Sequence, residues 1–155
     1  MEITSNLQRA IENLNFSDIF IHNISCAHLS SDPGLSNFDS LTIKLKHQVS
    51  KSTVLQDNHH NDRAIRIFID LGAIWVDKES KEVFSKIEVT YVLQYDLKSP
   101  LEKDCIDEFA LKNASYHVWP YWREFLSSTC DRMNLPKLIL PAKQLKHHSV
   151  KNEES

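Results

Sequence analysis

The sequence predicts an α+β domain: a four-stranded antiparallel sheet with a long helix from the C-terminal half packed on one face. Three observations predict it. Residues 41–49 and 84–97 place apolar side chains at every second position, the period of a strand with one wet face. Residues 64–76 are apolar on both faces, as in an interior strand. The aromatic-rich stretch 109–141 carries apolar residues at i, i+4, i+7 and i+8, the spacing of an amphipathic helix.

The elements follow in order. Residues 5–14 form a short amphipathic helix, with Leu7, Ala10, Ile11 and Leu14 on one side and Ser5 as its N-cap. A first strand spans about 16–25, where β-branched and aromatic residues concentrate, and Asp32-Pro33-Gly34 is turn chemistry. In the second strand Leu41, Ile43, Leu45, His47 and Val49 alternate with Thr42, Lys44, Lys46 and Gln48. The polar run 56–62 leads into the third strand, whose inner face is Ile65, Ile67, Ile69, Leu71, Ala73 and Trp75. Its other face carries Phe68, Ile74 and Val76 beside Arg66 and Asp70. Lys78-Glu79-Ser80 is a hairpin-length break, and Ile87, Val89, Tyr91, Leu93, Tyr95 and Leu97 line one face of the fourth strand. Hairpin-like links are expected between the strands.

Residues 104–111 read as a short helix capped by Asp104, with Glu108 placed favourably for the helix dipole. The long helix is expected to start at Pro120, whose missing N–H leaves no bond unmade in a first turn. Val118, Trp122, Phe125, Leu126, Thr129 and Met133 share its apolar side, and Leu135-Pro136 ends it. The expected organisation is an N-terminal helix (1–15), a main domain (16–141) and a disordered tail (142–155) with no usefully spaced apolar residues.

Composition narrows the function. A chain of 155 residues, 41% hydrophobic and 25% charged, reads as one soluble globular domain. Its net charge of −3, with scattered lysines and arginines, argues against nucleic acid, which needs a basic face to displace counterions. No apolar run reaches the roughly 20 residues that span a bilayer. The N-terminus has no basic region followed by an apolar one, so a cytoplasmic location is expected. The cysteines, Cys26, Cys105 and Cys130, are three in number and far apart, which suits free thiols in a reducing compartment.

The residues also weigh against catalysis. Gly34 and Gly72 are the only glycines, so no glycine-rich phosphate loop is present. His59-His60 sits in a polar loop without cysteine ligands, and no metal is expected there. Cys130 with His117 as base lacks any oxyanion site, so a buried thiol is the simpler reading. No cofactor and no enzymatic activity are expected. The aromatic window has Arg123 alone as a cation, which disfavours base stacking. Packing on the sheet accounts for Trp122, Phe125 and Leu126, whereas Trp119 and Tyr121 sit off that stripe and are placed at the rim of an apolar groove.

The segment Trp119-Pro120-Tyr121-Trp122-Arg123-Glu124, followed by Leu135-Pro136 and Leu138 to Pro141, resembles the SecB family of protein-export chaperones. That family opens its long helix on a proline–tyrosine–x–arginine–glutamate segment and closes on a proline-rich strand. The resemblance runs from about 16 to 141. The Leu7-Gln8-Arg9 helix and the short C-terminus are more similar to the SecB-like chaperones found beside toxin–antitoxin pairs, because export-type members carry a second long helix that 142–155 does not supply. By that resemblance Lys86 and Glu88 lie on the strand that export-type members present to the SecA motor; Glu88 fits that acidic surface and Lys86 does not.

The resemblance implies a homotetramer, a dimer of dimers, that binds unfolded precursor proteins or an antitoxin without ATP. One reading of the residues agrees with it independently. Helices on one side of the sheet leave a second face carrying Phe68, Ile74 and Val76, and keeping such side chains wet forgoes roughly 1.5–3 kcal/mol each. An apolar patch of that kind marks an interaction surface, for self-association or for clients. The expected client-binding set is therefore Trp119, Tyr121, Trp122, Phe125, Phe68, Ile74 and Val76. The rival is an oligomeric scaffold of the same fold that binds no client.

Overall fold

A computed structural model describes residues 4–29, 38–136, 138 and 140. The expected turn at Asp32-Pro33-Gly34, Pro141 and the tail 142–155 lie outside the described residues. Helix α1 (Ser5–Asn13) is capped by Thr4 rather than Ser5: the Thr4 hydroxyl accepts the Leu7 N–H at 3.1 Å. The chain then extends without a loop into β1 (Leu14–His28), followed by β2 (Leu41–Gln56), β3 (Asp62–Asp77) and β4 (Val83–Leu97).

All neighbours in the sheet are antiparallel, in the order β1-β4-β3-β2. Hairpin links therefore hold for β2–β3 and β3–β4 only. β1 pairs with β4 instead of β2, so the first connection crosses from one edge of the sheet to the other, a Greek-key arrangement. Register shifts between Phe16 and Asp18 and between Ile21 and Asn23 each leave one residue of β1 without an opposite partner. They bring Phe16, Ile19, Ile21, Ile24 and Cys26 opposite the inward residues Tyr95, Leu93, Tyr91, Val89 and Ile87.

The core lies between one sheet face and the helices. Ile65, Ile67, Ile69, Leu71, Ala73 and Trp75 of β3 and Ile87, Val89, Tyr91, Leu93 and Tyr95 of β4 are all buried, on the faces their alternation predicts. They are covered by helix α2 (Lys103–Phe109), a π-helical turn (Ala110–Ala114) and helix α3 (Ser115–Arg132), which join without a break. Leu7 and Ala10 of α1 are fully buried in the same core. The Thr4 hydroxyl donates to the Glu108 carboxylate, and Arg9 lies 3.6 Å from Glu102, so α1 is fixed on α2.

Two expectations about the helices are corrected. Pro120 lies inside α3, not at its start, and the short helix expected at 104–111 is the beginning of the same helical run. The N-cap of α2 is Glu102 without a side-chain bond, and Asp104 falls in the first turn. The physical reason is the buried stripe, which begins well upstream: Ile106, Phe109, Ala110, Ala114, Val118, Trp122, Leu126 and Cys130 all reach the core. That burial carries the helix through a proline whose ring is exposed. The predicted stop is observed. Asn134 takes a left-handed conformation (φ 54°), the Asn134 N–H bonds to the Asp131 carbonyl at 3.3 Å and the Leu135 N–H to the Cys130 carbonyl at 3.0 Å. This is a Schellman cap with Leu135 buried behind it.

Candidate functional site

Two tyrosines hold the long helix on the sheet. Tyr91 Oη donates to the Tyr121 carbonyl at 3.2 Å, and Tyr95 Oη lies 2.8 Å from His117 Nδ1. Burial raises both phenols well above their ordinary range, with the Glu124 carboxylate adding to the effect at Tyr91, so both remain protonated. This places α3 over β4 and leaves room on each side. On the β1 side, Ile19, Ile21, Tyr91, Tyr121 and Phe125 line an open groove of about 550 Å³, with Phe20, Pro120 and Glu124 at its margin. Tyr121 is 46% exposed and Ile21 39%, so the groove offers apolar surface to solvent. On the β2 side, Val49 and Val54 face Leu101, Ile106, Ala110 and Leu111 across a second cleft of about 750 Å³.

The expected client-binding residues divide among three places. Tyr121 and Phe125 are in the β1-side groove, and Trp119 is half-buried against the core. Trp122 is 1% exposed, part of the core that holds α3 down, with its ring stacked near Phe125 at 6.4 Å. Phe68, Ile74 and Val76 are on the opposite face of the sheet, so they do not join the helix residues in one groove. Nor do they form a contiguous patch. Lys51 Nζ lies 4.4 Å over the Phe68 ring and His22 packs edge-on against it at 5.5 Å. Asp70 and Gly72 separate Phe68 from Ile74, and Val76 is 7% exposed. Lys86 and Glu88 lie on that same outer face and pair with each other, Nζ to Oε1 at 3.5 Å.

Ile19, Phe20 and Ile21 escaped the sequence reading because the bulges of β1 break its alternation. Val54, Leu101 and Leu111 escaped because their cleft exists only once β2 and α2 are adjacent. A signal for the first group was present. β1 is an edge strand without a single lysine or arginine, whereas the other edge strand, β2, carries Lys44, Lys46 and Lys51. Lysines on an edge discourage pairing with another strand.

The other candidate chemistry resolves into structural contacts. His59 and Asn61 donate backbone N–H groups to Asp57 Oδ1 at 2.8 and 3.0 Å, and these bonds hold that carboxyl below its usual range. Among the described residues no group of three or more histidine, cysteine, aspartate or glutamate side chains is placed to hold a metal. Burial raises the Cys130 thiol, and His117 Nδ1 is engaged by Tyr95. Ser115 and Ser85 each meet a histidine, His47 Nε2 at 2.9 Å and His28 Nδ1 at 2.6 Å, but both hydroxyls are buried. Among the described residues no helix is long and apolar enough to cross a membrane.

A four-stranded antiparallel sheet with a long helix of the C-terminal half laid on one face defines the SecB-like fold. The solved structure of the Mycobacterium tuberculosis Rv1957 SecB-like chaperone, in complex with a ChAD peptide from the Rv1956 HigA1 antitoxin, has this fold. It matches with a TM-score of 0.71 and 16% sequence identity, covering 91% of this chain and 98% of that chain. A protein of unknown function from Streptococcus agalactiae matches with a TM-score of 0.43 and 9% identity, covering 83% and 96% of the two chains. No protein-family model matches the sequence, and no curated protein matches it.

Proposed function

We propose that this chain is an ATP-independent chaperone, a holdase that binds unfolded segments of other proteins. The observation that carries the reading is the open apolar groove between β1 and α3, with Tyr121, Phe125, Ile19 and Ile21 in reach of solvent. The likeness to a fold neighbour bound to an antitoxin peptide supports it. An extended client segment loses apolar surface to the groove, and several subunits acting together add avidity. Because only unfolded chains present such segments, binding withdraws them from aggregation by mass action. The assembly is a homotetramer, a dimer of dimers, in the cytoplasm. Its open edge is β1, lysine-free and carrying Phe16, Phe20, Ile21 and Ile24, each more than a third exposed.

An antitoxin or a general client suits this chain better than delivery to the SecA motor. Lys86 neutralises Glu88 on the strand that export-type relatives keep acidic. The test is aggregation suppression with a reduced, unfolded client in buffer without nucleotide. Stoichiometric protein is expected to slow the rise in light scattering, and Tyr121→Ser with Phe125→Ser to lose that effect at unchanged assembled mass. Wild-type protein that keeps its assembled mass yet leaves the aggregation rate unchanged would establish the scaffold reading instead, which the exposed β1 edge favours.

A further inference from the structure

The sheet face turned away from the helices is built row by row across the strands. One row reads Ala27, Lys86, Ile74 and Lys44 from β1 to β2; the next reads Ser25, Glu88, Gly72 and Lys46. Ile74 is thus flanked by two lysines, at the cross-strand distance at which side chains touch. Gly72 is buried, and the Glu88 and Lys46 side chains close over it: a Cβ there would meet Glu88 Cγ at 3.3 Å and Lys46 Cβ at 3.5 Å. On the same face lies a polar cleft of about 260 Å³ lined by Asn23, Ser25, Lys46, Asp70, Glu88 and Thr90.

The acids of this face are already engaged. Glu88 pairs with Lys86, and Asp70 accepts the Thr90 hydroxyl at 2.7 Å. Among the described residues Lys44 and Lys46 have no carboxylate within 4.0 Å. Protection of an edge explains lysines on β2, but Lys86 stands on β4, an interior strand.

We propose that this face docks an acidic, extended segment of a partner polypeptide. Its carboxylates pair with Lys44 and Lys46, and an aliphatic side chain rests on Ile74 between Lys44 and Lys86. Charge selects the class of partner: the unpaired groups are cationic and a half-buried aliphatic side chain lies between them. A nucleic acid fits less well. The outward rings Phe68 and Phe20 are covered by Lys51 at 4.4 Å and Arg66 at 5.5 Å, leaving no stacking platform on this face. This surface is separate from the groove beside α3, so it stands or falls independently of the chaperone reading.

The experiment titrates the full chain into a labelled peptide alternating glutamate with isoleucine, beside the same peptide with lysine for glutamate. The acidic peptide is expected to bind, to weaken as salt rises, and to lose about tenfold in affinity with Lys44→Glu combined with Lys46→Glu. Ile74→Ser, which removes the aliphatic seat, should weaken it as well. Melting curves of each variant report whether the fold is retained. Absence of binding, equal binding of the lysine peptide, or no loss in the folded Lys44→Glu/Lys46→Glu variant would overturn the proposal. So would tighter binding of single-stranded poly(U) or of phosphatidylserine vesicles than of the acidic peptide.

Discussion

Tyr95 Oη and His117 Nδ1 meet at 2.8 Å beneath the ring of Phe16, which stacks on the imidazole at 5.7 Å with 14° between the planes. Burial holds the His117 imidazole below its ordinary value of 6.5. The unfolded chain takes up this proton near that value and the folded chain only at lower pH. The contribution to stability is therefore complete above about 6.5 and declines as pH falls toward the lowered value. The difference in urea midpoint between wild type and His117→Gln should narrow as pH drops from about 7.5 to about 5. Parallel midpoints over that range would show that the imidazole is not buried neutral.

Trp122 and Tyr121 are adjacent in sequence and differ in consequence. Trp122 is 1% exposed in the core, so Trp122→Ala should cost about 3–5 kcal/mol in chemical denaturation. Tyr121 is 46% exposed at the groove, so Tyr121→Ser should change stability by less than about 1 kcal/mol. A large loss from both substitutions would make the groove tyrosine part of the scaffold.

Pro120 has no N–H to offer the Tyr116 carbonyl one helical turn upstream, and it lies inside α3 six residues after the π-helical turn ends at Ala114. Its exposed ring leaves room for a smaller side chain. Pro120→Ala should stabilise the fold by about 1–3 kcal/mol, read as a higher urea midpoint at unchanged slope. Because Pro120 also borders the groove, client affinity measured on the same variant tells whether the ring touches client.

Where one strand pattern governs, the sequence was legible. The inward faces of β3 and β4 follow from strict alternation, and the helix stop follows from Leu135-Pro136. Pairing of β1 with β4 was not legible, because it depends on a crossing between sheet edges that no local pattern encodes. The bulges of β1 hid the groove residues in the same way: Phe16, Ile19, Ile21 and Ile24 share a face at spacings of three, two and three, which reads as neither strand nor helix. Phe68 read as an open apolar side chain because the cation covering it, Lys51, belongs to another strand and turns outward only after the register shift between Val49 and Lys51. The stripe of α3 was legible, but its extension through Pro120 was not, since tertiary burial overrode a local helix-start signal.

Ile24 offers the most direct test of self-association through β1. It is 50% exposed on a strand whose outer edge pairs with no other strand among the described residues, and it lies opposite Val89 of β4. A lysine there places a charge on the apolar face of the edge, the device that β2 already uses. Ile24→Lys should leave the melting temperature of the subunit fold nearly unchanged while lowering the solution mass measured by light scattering. The groove beside α3 lies next to this edge, so client binding should weaken as avidity is lost rather than vanish. An unaltered mass for a folded Ile24→Lys protein would exclude β1 as the contact and move the assembly surface elsewhere on the subunit.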